Sequence, residues 1–250
     1  MTAGLAGEQL LAVWEQGRGV DALTRALLVW SAADSLPVED LAAAPLGVRD
    51  LALLEVRRQT FGAVADCYVA CPRCGDGLEF ALDVRDLVPG GTAVADDVAA
   101  GSAVHELWVE DWDVRFRLPG SRDLRVASQA DHDLRAAVLL EAAVVSVERA
   151  GIRCAVQDLP SPVVEALDAE LARLDPAADL TLELRCAACS HAWPSRFDVG
   201  AFLWREIEVN ARRLLQEVDA LARTYGWSER DILSLPATRR RSYLDLAGWS

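Results

Sequence analysis

The sequence predicts an α+β chain that is mostly α-helical, with two short β knuckles and one β-hairpin surrounded by helices. Three observations carry that expectation. Cysteine pairs stand at Cys71-Pro72-Arg73-Cys74 and Cys186-Ala187-Ala188-Cys189. Short alternating runs flank them, Leu78, Phe80 and Leu82 after the first and Leu180, Leu182 and Leu184 before the second, and alternation at a period of two is the strand signal. Apolar residues at steps of three and four, the helix signal, dominate both ends of the chain.

Residues 1–66 read as helices. Leu10, Leu11 and Trp14 lie on one, and Leu23, Ala26, Leu27 and Trp30 on the next, with Gly17-Arg18-Gly19 between them. Asp21 is placed to cap the second helix and Pro37 to stop its exit, after which Val48, Leu51, Leu54, Glu55 and Arg58 mark a third. A first knuckle is expected over 67–87. Residues 88–104, with small side chains, three glycines and no period, read as a surface loop and as the most mobile internal segment. The hairpin follows over 105–118, its strands flanking Glu110-Asp111-Trp112-Asp113 and its second strand alternating Val114, Phe116 and Leu118.

Residues 119–175 are expected to be helical. Ser121 is a candidate cap, Leu134, Val138, Ala142 and Val145 extend a helix towards Gly151, and Ser161-Pro162 starts another. The second knuckle spans 179–199. Helices fill 200–250, led by the stripe Leu203, Ile207, Ala211, Leu214, Val218, Leu221 and Tyr225, an amphipathic helix of about six turns. Ser228-Glu229-Arg230-Asp231 resembles a capping box, and Pro236 ends one short helix and opens the last. The whole is expected to be one interleaved body over 1–250.

A CxxC turn lets two thiolates reach one ion, and a structural Zn2+ site takes four such ligands. The expected metal ligands are therefore Cys71, Cys74, Cys186 and Cys189, with one structural Zn2+ per chain. Two disulfides or two unrelated thiol pairs would fit the same spacing. The two knuckles also match each other. At a constant offset of 115 residues, Cys71, Cys74, Leu78, Leu82, Asp83 and Val84 correspond to Cys186, Cys189, Trp193, Phe197, Asp198 and Val199. Two facing knuckles make a zinc ribbon, here split by residues 75–185, whereas ordinary ribbons separate their pairs by about 15 to 20 residues. Cys67 and Cys154 lie in apolar sequence and read as buried free thiols. His191, close after Cys189, reads as a supporting or solvent-facing residue rather than a ligand.

Hydrophobic residues make up 52% of 250 positions, ample for a core, and no uncharged run of 18 residues offers a membrane span. No secretory leader is read at the start, so a cytoplasmic, thiol-preserving location is expected. All 25 basic residues are arginine, and the formal charge of −14 opposes nucleic-acid binding, which needs basic groups on phosphates. The three histidines accompany no HExxH, no GxSxG and no phosphate-cradling glycine loop, so no catalytic residue and no small-molecule substrate are expected.

The C-terminal run Tyr225-Gly226-Trp227-Ser228, Asp231-Ile232-Leu233-Ser234-Leu235-Pro236 and Arg239-Arg240-Arg241-Ser242-Tyr243-Leu244 resembles the end of the T4-type baseplate hub assembly chaperones of contractile phage tails and phage-tail-like injection systems. A looser likeness takes in 11–14 with Glu15 and Gly17, Arg49-Asp50, both CxxC pairs, Phe116-Arg117-Leu118-Pro119 and Phe202-Leu203-Trp204. The resemblance implies a non-enzymatic role in tail or baseplate assembly, with baseplate or hub proteins as partners, as a transient chaperone or a permanent component. Trp204, Trp227, Tyr243 and Trp249 are candidate partner anchors or core residues, and Arg239-Arg240-Arg241 is a candidate contact for a carboxylate-rich partner or a solvated helix face. A zinc-ribbon nucleic-acid-binding or transcription accessory factor is the alternative.

Overall fold

Buried leucines and a tryptophan at helical spacing bring the two ends of the chain together. The structure, a computed structural model, describes residues 2–88 and 103–249, so most of the 88–104 segment read as a loop lies outside them. The N-terminal helices are α1 (Gly7–Gly17), α2 (Ala22–Asp34), the single turn α3 (Val38–Leu41) and α4 (Leu46–Phe61). Asp21 caps α2 as expected, accepting from the Thr24 N–H at 3.0 Å. Helix α2 ends before Pro37, at Ser35, whose φ of 56° is left-handed.

The first knuckle is the hairpin β1 (Val64–Ala70) and β2 (Gly77–Asp83), paired from Val64↔Asp83 to Ala70↔Gly77. Beyond residue 102 come β3 (His105–Val109) and β4 (Trp112–Phe116), then α5 (Ser121–Ser128) and α6 (Arg135–Ala143). Ser121 is not the cap of α5. Gly120 takes that place, its N–H donating to Asp123, while the buried Ser121 hydroxyl accepts from Arg49.

The helix read as running towards Gly151 stops at Ala143. Residues Val144–Arg149 form β5, and after a turn in which Ala150 and Gly151 both have positive φ (49° and 79°), Ile152–Cys154 form β6. Val144, Val145 and Val147 favour a strand, and two positive-φ residues suit a tight hairpin. The expected lone hairpin is thus half of a four-stranded antiparallel sheet in the order β3-β4-β5-β6. Its buried face, with Val114, Phe116 and Val147, packs on α7 (Ser161–Leu174) through Val163 and Leu167.

Strands β7 (Thr181–Arg185) and β8 (Ala192–Arg196) form the second knuckle. Then come α8 (Val199–Tyr225), α9 (Glu229–Ser234) and α10 (Ala237–Leu246). Leu203, Ile207, Ala211 and Leu214 of α8 enter one core with Leu27, Trp30 and Leu53 of the N-terminal helices. Each such large side chain contributes about 1.5 to 3 kcal/mol by leaving water. Lower on α8, Leu221 joins Ile232 and Leu244 in a small C-terminal core, and the Ser228 capping box forms as read. Among the described residues no helix is long and apolar enough to cross a membrane.

Candidate metal centre

Each CxxC turn is shaped by its own backbone. In the first knuckle the Cys71 N–H donates to the Asp76 carbonyl at 2.8 Å and the Gly75 N–H to the Cys71 carbonyl at 2.9 Å. In the second the Cys186 N–H donates to the His191 carbonyl at 2.9 Å and the Ser190 N–H to the Cys186 carbonyl at 3.0 Å. Gly75 and Ser190 occupy the same left-handed position, with φ of 76° and 57°. Glycine adopts that conformation freely, whereas serine holds it against its Cβ. The offset seen in the sequence is therefore a repeat of hydrogen bonds and dihedrals. Beyond each returning strand an aspartate caps the next helical element: Asp83 accepts from the Arg85 N–H at 3.0 Å and Asp198 from the Ala201 N–H at 2.8 Å.

The knuckles face each other and bring all four sulfurs within 4.8 Å of one another. Two of the approaches cross between the halves, Cys71 Sγ to Cys189 Sγ at 3.8 Å and Cys74 Sγ to Cys186 Sγ at 3.6 Å. A tetrahedral ion with bonds of about 2.3 Å to sulfur requires edges of about 3.8 Å, so the donor set fits a metal held by four thiolates. Disulfides would need sulfurs about 2.05 Å apart, and all four cysteines are free. The clustered sulfurs also shift one another's protonation. Burial pushes the Cys71 thiol up, but N–H groups of Cys74 and Arg73 and the adjacent sulfurs outweigh it and bring it down to about 7. Cys74 accepts from the Asp76 N–H, which lowers it, yet the three neighbouring sulfurs and burial push it up to about 12. Four thiolates this close repel, and a bound cation removes that repulsion.

Cys71 and Cys186, the first ligand of each turn, are buried, while Cys74 is exposed and Cys189 half-buried. Four protein sulfurs would fill a tetrahedral shell, the arrangement of a structural site. Among the described residues these four form the only group of three or more histidine, cysteine and acidic side chains close enough to share an ion. His191 is outside it: its ring stacks on Trp193, 5.7 Å between centroids and 10° between planes. Cys67 and Cys154, expected to be buried, are half-buried, because each lies on a strand of a small open sheet.

Comparison with family models, curated proteins and solved structures yields no match to this chain.

A partly buried ion pair beside the first knuckle escaped the sequence reading. Arg57 on α4 makes two bonds to Glu206 on α8, Nε to Oε2 at 3.0 Å and Nη2 to Oε1 at 2.8 Å, and a third to the Gly62 carbonyl at 2.6 Å. Gly62 precedes β1, so this arginine ties the entry of the first knuckle to the helix that leaves the second. No local motif announces a pair 149 residues apart.

The C-terminal aromatics pack mainly on one another. Tyr225 stacks on Trp227 at 4.8 Å, Trp227 meets Tyr243 edge-on at 4.8 Å, and Trp249 joins the same cluster. Trp204 is buried in the main core. Within the arginine run, Arg240 turns inward to Glu217 at 2.6 Å, both side chains about one-tenth exposed (11% and 9%), and Arg241 pairs with Asp245.

Proposed function

We propose that this chain is a non-enzymatic, zinc-clamped protein that acts through protein contacts in assembling the baseplate of a contractile tail or injection system, or as a component of it. The observation that carries the reading is the C-terminal Tyr-Gly-Trp-Ser to Ser-Tyr-Leu pattern, whose resemblance to baseplate hub assembly chaperones supplies the biological setting. The aromatic cluster of Tyr225, Trp227 and Tyr243 gives that pattern a physical reason to stay together: it seals the end of the chain onto α8.

Zinc is the metal that four thiolates in a tetrahedron suit best, with iron the competing possibility for an all-sulfur site. Its role is to join two distant halves of the sequence. By analogy with a covalent cross-link, closing the intervening loop contributes about 4 to 5 kcal/mol. A filled coordination shell supplies no place for a substrate, which supports a scaffold over a metalloenzyme. The location that keeps such thiols reduced is the cytoplasm.

The test is genetic and visual. Deleting the chain from the cell that encodes it is expected to abolish complete contractile particles, leaving sheath or tube assemblies without baseplates in electron micrographs. Normal numbers of complete particles would contradict the reading. Tight DNA or RNA binding at physiological salt by the purified protein, with a steep salt slope, would replace it with the nucleic-acid alternative.

A further inference from the structure

On a chain of net charge −14, arginines converge where α1, α2 and α8 meet. Arg18, Arg25, Arg205 and Arg212 line a cleft of about 690 Å³ whose only acidic lining residue is Glu208, itself held by Arg212 at 2.6 Å. Among the described residues no carboxylate lies within salt-bridge distance of Arg18, Arg25 or Arg205, although acidic residues outnumber arginines 39 to 25. On an acidic chain this makes the cleft locally positive, able to attract an anionic group.

The cleft is built rather than incidental. Gly17 brings α1 so close to Trp204 that an added Cβ would overlap the ring, which fixes the indole beneath Arg25 at 4.9 Å. The Arg25 Nε donates to the Gly17 carbonyl at 3.0 Å, and Arg18 lies over Trp14 at 5.1 Å. Each of these guanidiniums thus sits over an indole, a cation–π placement that holds the charge at the cleft and leaves N–H groups to meet oxyanions. Ala22 at the start of α2 and Gly200 and Ala201 in the first turn of α8 also line the cleft, adding the positive ends of two helices. Asp21 and Asp198 cap those ends, so the arginines carry most of the charge.

We propose that this cleft binds a short acidic segment of a partner protein, carboxylates meeting Arg18, Arg25, Arg205 and Arg212. Three observations select that ligand. Arg205 and Arg212 are two helical turns apart, about 10 Å along α8, which suits carboxylates spaced along an extended peptide better than one phosphate group. Nucleic acid carries a charge about every 1.7 Å and would run off the cleft onto an acidic surface. Trp204 is buried with Arg25 over its ring, so that indole offers no stacking slot for a base. A separate partner is favoured over a second copy because two chains of −14 repel. The inference rests on reading the chain as one that acts through protein contacts.

Binding of a fluorescein-labelled hexaglutamate peptide to the full-length protein, followed by anisotropy at low and at physiological salt, tests it. Expected is saturable one-to-one binding that weakens with salt and falls about tenfold or more in Arg18→Glu and in Arg205→Glu, both at exposed positions, with unchanged melting temperature. Arg223→Glu, on the same helix outside the cleft and paired with Asp219, is expected to bind like the parent. Three results would overturn the proposal: no peptide binding at low salt, equal loss in Arg223→Glu, or preference for pyrophosphate or single-stranded DNA over the peptide. Self-association abolished by Arg205→Glu would make a second copy the occupant and overturn the separate partner. Peptide binding and the particle phenotype of a deletion are read separately, so failure of one leaves the other standing.

Discussion

The first knuckle hands the chain to a single 3₁₀ turn (Val84–Leu87), whereas the second hands it to α8, the 27-residue helix that enters both the main and the C-terminal cores. Yet the knuckles themselves share their cysteine spacing, their two turn hydrogen bonds, a left-handed residue at the same place and an aspartate cap. Even the residue after each cap, Val84 and Val199, is equally buried at 2%. What differs is downstream. Pro89-Gly90-Gly91 closely follows the first cap, while the second is followed by an unbroken helical stripe. The local motif specifies a turn and two sulfurs, and the sequence beyond it decides whether that turn starts a helix.

Breaking the metal site tests the most costly shared feature. If both halves hold the ion equally, Cys71→Ser and Cys186→Ser should lose metal alike, and chelation of the parent should lower stability by about 4 to 5 kcal/mol, measured by denaturant unfolding with and without a strong chelator. Loss in only one variant would show that one knuckle binds alone. Next in size is the tie between the halves: Arg57→Met should destabilise by about 2 to 3 kcal/mol in the same assay, since it strands Glu206 and the Gly62 carbonyl, with the effect moderated by the partial exposure of Glu206.

Smaller effects should distinguish the knuckles from each other. Asp198→Ala removes the cap of a long helix and should cost about 1 kcal/mol, more than the same change at Asp83, whose cap serves one turn. Asp83 has a different signature. The Arg85 guanidinium and then its N–H hold this carboxyl down from 3.8 to about 2. Because the folded-state value is the lower one, its contribution is present above the ordinary carboxylate range and is lost as pH falls towards 2. A carbon-detected NMR titration should place its midpoint there, and a midpoint near 4 would show that the pair does not form. Gly75→Ala should likewise cost about 1 kcal/mol, and least of all Ser190→Gly should be neutral or stabilise by less than that, both read from thermal melts.

Much of this was legible in the residues. The CxxC spacing, the flanking alternation and the offset match led to all four cysteines, and the stripe from Leu203 to Tyr225 led to α8, because these signals are local or strictly periodic. The sheet was only half legible: Val145 falls three residues after Ala142, so a strand continued the period of the helix before it. Arg57–Glu206 and the arginine cleft were invisible for another reason. Each is made by residues far apart in the chain, and no local pattern marks any one of them. The same holds for Arg240, read as part of a surface run and found paired with Glu217 inside.

The claim on which the rest depends is that one ion joins the two knuckles. Elemental analysis of the purified protein, combined with counting of reactive thiols under native conditions, addresses it directly. Expected are about one zinc per chain and four of the six cysteines protected until chelator is added. A fully folded wild type that carries no metal, with all its accessible thiols reactive, would contradict it.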